Sequence, residues 1–175
     1  MLWVRLQDQA TKAVFGVANY HMPCAFYEPK VMTIHADMVA KRTQKLAGSI
    51  TPYILAGDFN ILPTSTTYKL LTTGKLSKDD DTFPESKHGV EWSPTLQPMQ
   101  SAYAMHDGKE PDFTNYSKVK DGETFVETID YIFLSPHWKT LGVKPLKHRD
   151  NVKDGPYPNA CEPSDHVMIA ATLQL

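Results

Sequence analysis

At 175 residues, 41% hydrophobic and 22% charged, the chain has the size and composition of one globular domain able to bury a proper core. A formal charge of -2 excludes attachment to nucleic acid by bulk charge, though not through a local basic groove. No apolar run approaches membrane-spanning length, and the first residues lack a signal peptide's basic start and long apolar segment. Cys24 and Cys161 are too few for a disulfide framework or a zinc site. They read as small buried or partly buried thiols in a reducing, cytoplasmic compartment.

Leu2 to Leu6 alternates as a strand, Gln7 to Lys12 reads as a polar turn, and Ala13 to Ala18 is a nearly continuous apolar strand. A short polar connection between two strands predicts an antiparallel hairpin. His21 emerges where the second strand ends, a place where a lone histidine is more often structural than catalytic. From Val31 the period changes. Val31, Ile34, Met38, Val39, Arg42 and Leu46 follow helical spacing, with Lys41, Gln44 and Lys45 on the wet side and Gly48 as the stop. Met32, His35 and Met38 are expected to pack that helix.

The next stretch organises the chain. Ile54, Leu55 and Ala56 form a short buried strand that stops at Gly57, and Asp58 and Asn60 follow two residues apart. If the strand continues, both side chains share one face while Phe59 turns into the core. A carboxylate and a carboxamide so placed can share a proton or a water. An Asx-turn accounts for them equally well. Pro63, Thr64 and Ser65 then open a second helix, about Thr66 to Thr72, with Gly74 as its C-terminal signal.

Residues 75–100 carry three prolines and little periodicity, which predicts an extended surface segment. Within it Asp79, Asp80 and Asp81 read as a solvated acidic turn. Ser101, Ala102 and Tyr103 begin another ordered piece. Asp112 to Tyr116 interleaves aromatics with an amide, a composition suited to base recognition, though a plain hairpin is the simpler reading. Phe125 to Leu134 reads as one strand with Asp130 inside its apolar run. A buried carboxylate needs a partner, and Asp165-His166, ahead of a last core strand from Val167 to Leu173, supplies one. Lys139, Lys144, Lys147, Arg149 and Lys153 are the basic concentration of the chain, read as a solvated loop balanced by Asp150 and Asp154.

Four strand ends therefore carry His21, Asp58/Asn60, Asp130 and Asp165/His166. Carboxylates, an amide and two histidines, with no nucleophilic serine or cysteine motif, suit metal-assisted attack of water on phosphorus. The segments Asn19-Tyr20-His21, Gly57-Asp58-Phe59-Asn60, Thr128-Ile129-Asp130-Tyr131 and Ser164-Asp165-His166 match, in order and rough spacing, the endonuclease/exonuclease/phosphatase superfamily. Ser101-Ala102-Tyr103, Phe113-Thr114-Asn115-Tyr116 and Pro158-Asn159 ahead of Pro163 look like its poly(A)-deadenylase branch. That branch also holds nocturnin, the angel proteins and 2′-phosphodiesterases.

The resemblance implies a fold of class α/β (α+β), the C-terminal portion of a four-layer α/β/β/α sandwich with mainly antiparallel sheets, over residues 1–175. It implies Mg²⁺, with Mn²⁺ as an alternative, and hydrolysis at an RNA 3′ end of poly(A) type or of a nucleotide. A catalytically silent binding module and a small-molecule nucleotide phosphatase are the alternatives. Asp58 would handle the attacking water, and Asn60 would hold the phosphate or water in line. His21 and His166 would contact the phosphate, with Asp130 orienting His166. Asp165 would lie close to the metal, and Asn115 and Phe125 would hold the terminal base. The family's earlier Asn-bearing strand and metal-binding Glu have no counterpart before Trp3. The resemblance therefore implies weak Mg²⁺ binding by these residues alone, and a preceding segment or partner chain that completes the sandwich.

Overall fold

The computed structural model describes residues 1–87 and 89–175. Strands β1 (Leu2–Gln7) and β2 (Val14–Asn19) form the expected antiparallel hairpin, Trp3 opposite Ala18 and Val4 opposite Val17. The Asp8 carboxylate closes its turn, accepting the N–H groups of Ala10 and Thr11. Helix α1 (Pro29–Ala47) begins on proline, whose missing N–H is no loss there, and ends at Gly48 with φ 71°. It returns the chain to β3 (Tyr53–Asp58), parallel to β2. Ser65 caps α2 (Thr66–Thr73) by accepting the Tyr68 N–H, and Gly74 closes it in the left-handed region.

The segment after Gly74 contains no strand or helix before β4 (Gln100–Ser101) among the described residues, only a Lys87–Val90 bridge. It is tied to α1 by Lys30 to Glu85 and by Lys41 to the Ser93 carbonyl. Next come α3 (Ala102–Asp107), β5 (Asn115–Lys118), β6 (Thr124–Glu127), β7 (Asp130–Leu134), β8 (Lys139–Val143) and β9 (Ala171–Gln174). The main sheet has the order β1-β2-β3-β7-β4, all pairs antiparallel except β2–β3, and β5–β6 and β8–β9 form two small antiparallel pairs. The fold is thus mixed α/β with mainly antiparallel sheets.

Strand alternation divides the sheet into two faces. Ala18, Tyr53, Leu55, Tyr131 and Phe133 point to one face, where α1 and α2 cover them in a core shared with the fully buried Phe59. Phe59 meets Phe133 edge to face at 5.1 Å. Phe15, Ile54, Ile132 and Leu134 point to the other, beneath Ala102, Trp138 and the β8–β9 pair. Asp58 and Asp130 belong to this second face by the same alternation. Among the described residues no helix is long and apolar enough to cross a membrane.

Four expectations are corrected. The face of α1 is rotated: Thr33, Ala36, Ala40 and Thr43 are buried, whereas Met38 is 62% exposed and Val31 and Leu46 reach solvent. Small side chains let the helix sit close to the sheet, so contact distance rather than hydropathy chose the face. The single strand Phe125–Leu134 is two, β6 and β7, separated at Thr128-Ile129 and serving different sheets. The last strand begins only at Ala171 and is half-exposed, with Met168 67% exposed. Both cysteines are exposed. In the basic loop, Arg149 pairs with Asp112 at 3.0 Å rather than with its acidic neighbours.

Candidate active site

The parallel ladder carries His21 to the site. Beyond β2, Tyr20 N–H bonds the Ala56 carbonyl and Met22 N–H the Asp58 carbonyl, continuing the pairing past the formal strand end. Gly57, at φ 144°, allows this approach, because a Cβ there would strike the Tyr20 carbonyl. The Tyr20 hydroxyl is anchored to α1 through His35 Nδ1 at 2.7 Å. His35 thus packs the helix as expected, and also fixes the residue beside His21.

Asp58 ends β3 and stands directly opposite Asp130, which begins β7. His166 Nδ1 lies 2.9 Å from Asp130 Oδ2, the pairing anticipated for a carboxylate in an apolar strand. Its Nε2 lies 3.8 Å from Asp58 Oδ2, and His21 Nε2 lies 3.4 Å from the same oxygen. The His21 side chain is 75% exposed and so free to meet a ligand, unlike a structural histidine. Both readings of the Asp58/Asn60 pair hold at once. Asp58 Oδ1 accepts the Asn60 N–H at 2.8 Å, an Asx-turn, while Oδ2 faces the two imidazoles. Asn60 sits at φ 50°, and its amide donates to the Met22 carbonyl at 2.9 Å and to Asp58 Oδ2 at 3.3 Å.

The charges are tuned by this placement. The Asp130 hydrogen bond holds the His166 imidazole above its ordinary pKa; burial opposes this, and the charges of Asp130, Asp58 and Asp165 reinforce it. Burial pushes the Asp58 carboxyl up, opposed by the Asn60 N–H, reinforced by Asp130 and opposed again by the two histidines. The arrangement favours a cationic His166 whose free Nε2 can meet an anionic oxygen, next to a carboxylate able to take a proton.

Thr114 is a residue the sequence did not single out. Fully buried, its hydroxyl donates to Asp130 Oδ2 at 2.7 Å and accepts the N–H groups of Ile129 and Asp130, both at 3.0 Å. This breaks the long strand at Thr128-Ile129 and aims Asp130. The only sequence signal is its place in Phe113-Thr114-Asn115-Tyr116.

Asn115 is buried, with Nδ2 3.4 Å from Asp165 Oδ2. Phe125 lies across the same hairpin, opposite Ser117, and packs on Phe26 with ring centroids 6.0 Å apart. Phe26 is 48% exposed, so the pair forms an open aromatic step. Nothing periodic in the irregular stretch before α1 marked Phe26.

One donor atom from each of Asp58, Asp130 and His166 lies within 4.8 Å of the others, a group from which Asp165 is absent. Two carboxylates offer the hard oxygens that Mg²⁺ or Mn²⁺ takes, so the donor chemistry fits such an ion. His166 is committed through Nδ1 to Asp130, which leaves Nε2 as its one available nitrogen.

The profile of the Endonuclease/Exonuclease/phosphatase family matches residues 3–166. The Carbon catabolite repressor protein 4 homolog 4 of Arabidopsis thaliana is 30% identical over 172 residues, covering 91% of this chain and 37% of that protein. The CCR4-Not complex 3′-5′-exoribonuclease subunit Ccr4 of Mycosarcoma maydis is 31% identical over 132 residues, covering 71% of this chain and 18% of its own length. Among solved structures, the human Nocturnin catalytic domain aligns with a TM-score of 0.64 at 20% identity, over 98% of this chain and 51% of that one. ANGEL2, described as a 2′,3′-cyclic phosphatase, aligns at 0.69 with 21% identity, over 91% and 56%. The chain spans well under half the length of these curated relatives and about half of the solved chains.

Proposed function

The chain belongs to the Endonuclease/Exonuclease/phosphatase family, and from that premise we propose that it hydrolyses phosphodiesters at the 3′ end of RNA, as a deadenylase-like exonuclease. The observation that carries this reading is the Asp130–His166–Asp58 group at one sheet edge, with the exposed His21 on its rim. Asp58, with its raised proton affinity, takes the proton of the attacking water. His166, held cationic and oriented by Asp130, donates through Nε2 to a phosphate oxygen, and His21 approaches from the solvent side. Asn60 fixes both Asp58 and the segment carrying His21 through its bonds to Asp58 and to Met22. Mg²⁺ or Mn²⁺, when bound, neutralises phosphate charge and acidifies water.

The substrate end of the reading rests on Phe125 and its partner Phe26, an aromatic step on which a terminal base can stack. The 3′-5′-exoribonuclease description of the Ccr4 relative supports RNA as substrate. On the second face of the sheet, Leu2, Val4 and Leu6 are 73%, 50% and 44% exposed. An apolar strip of this kind supports a further layer, from a preceding segment or a partner chain, completing a four-layer sandwich.

The test is a 5′-labelled oligoadenylate offered to the longest form of the protein that carries these 175 residues. Stepwise 3′ shortening that requires Mg²⁺ or Mn²⁺ and vanishes in His166→Ala is expected. No shortening with either ion, or equal shortening by His166→Ala, would overturn the reading.

A further inference from the structure

Asn115 is 3% exposed, and its amide is only half satisfied. Nδ2 reaches Asp165 Oδ2 at 3.4 Å, while Oδ1 is buried with no hydrogen-bond donor among the described residues. A buried carbonyl oxygen without a donor costs on the order of 1–3 kcal/mol. An oxygen-seeking ligand removes that cost, and Asp165 beside it adds a negative charge.

The backbone under both residues is fixed. Asn115 bridges His166 antiparallel, Tyr116 N–H bonds the Asp165 carbonyl at 2.8 Å, and Val167 N–H bonds the Thr114 carbonyl at 2.8 Å. The 3.4 Å between amide and carboxylate is close to the spacing of neighbouring ligands on an octahedral ion with bonds of about 2.1 Å, roughly 3 Å. The competing group is poorly disposed toward a dication. Asp130 Oδ2 is occupied by Thr114 and His166, Asp58 is held by Asn60, and the His166 imidazole lies between the two carboxylates.

We infer that the Asn115 carboxamide oxygen and the Asp165 carboxylate form an oxygen ligand pair for a hard divalent cation, Mg²⁺ or Mn²⁺. The cation sits beside the Asp130–His166 pair rather than between Asp58 and Asp130. This role replaces base contact for Asn115. The pair deepens the hydrolase reading, on which its purpose rests, but cation binding is measured without substrate.

The experiment titrates Mn²⁺ into the protein and follows the electron paramagnetic resonance signal of the free ion. Asn115→Ala and Asp165→Asn should each weaken binding at least tenfold, and Asp58→Asn less than threefold. Asn115→Asp guards against misfolding. Without Mn²⁺ it brings two carboxylates together and lowers the melting temperature. With Mn²⁺ it should recover that loss and bind at least as tightly as the parent. The inference is overturned if the parent binds no Mn²⁺ at millimolar concentration, if Asn115→Ala binds like the parent, or if Asp58→Asn alone loses the ion. Hydrolysis lost in Asn115→Ala with Mn²⁺ binding intact sinks the ligand pair and spares the hydrolase reading. Mn²⁺ held by the pair in a protein that cleaves no oligoadenylate does the reverse.

Discussion

Asp58 and Asp130 are register partners in the β3–β7 ladder, two carboxylates directly across from each other on one face of the sheet. Like charges so placed are destabilising. His166 offsets this by standing between them, 2.9 Å from Asp130 and 3.8 Å from Asp58. Asp130→Asn keeps the shape but removes the charge that holds His166 cationic. Cleavage of oligoadenylate should fall by roughly 10²–10⁴-fold, with the thermal transition retained. A single-turnover rate within tenfold of the parent would show that His166 acts without Asp130.

Thr114 serves three hydrogen bonds with one buried hydroxyl. Thr114→Val preserves volume but leaves the Ile129 and Asp130 N–H groups without an acceptor. Stability should drop by about 1–3 kcal/mol in urea unfolding, and Thr114→Ser should recover most of it. Equal losses in both variants would point to the methyl group instead.

Glu110 is a buried acid outside the site. Its Oε1 accepts from the Tyr68 hydroxyl at 2.6 Å, and burial pushes the carboxyl above its ordinary value, with Ser101 and Tyr68 opposing. A raised folded-state value means that the protonated form stabilises the fold. That contribution is complete below the unfolded pKa of about 4.3 and is lost as pH rises through the folded value. Glu110→Gln keeps an acceptor for Tyr68 and removes the charge. It should melt higher than the parent at pH 7.5, and the gap should close by pH 4. A gap independent of pH would exclude titration of Glu110 as its cause.

Phe26 and Phe125 are offered as a base platform. Stacking is worth about 1–3 kcal/mol per base, so removing either ring should cut the preference for a 3′ adenylate over an abasic 3′ end roughly 5- to 150-fold. Rates lowered equally on both substrates would assign the rings to packing alone.

What the sequence determined by itself was local or forced by burial. The β1–β2 hairpin follows from two alternating runs and a turn that Asp8 closes. The ends of α2 follow from Ser65 and Gly74, whose roles depend on neighbours within one turn. The Asp130–His166 contact was foreseeable because a carboxylate in an apolar strand must find a donor. Tertiary structure alone decided the rest. Met38 faces water and Ala36 the sheet, because how closely two elements approach depends on both surfaces. Phe125 and Asp130 belong to different sheets because the Thr114 hydroxyl captures the N–H groups at the break between them. Phe26 meets Phe125, and Asp58 meets Asp130, across 99 and 72 residues of chain. Local propensities reach only a few residues, whereas ladder register and packing distance are set by surfaces that the chain brings together on folding.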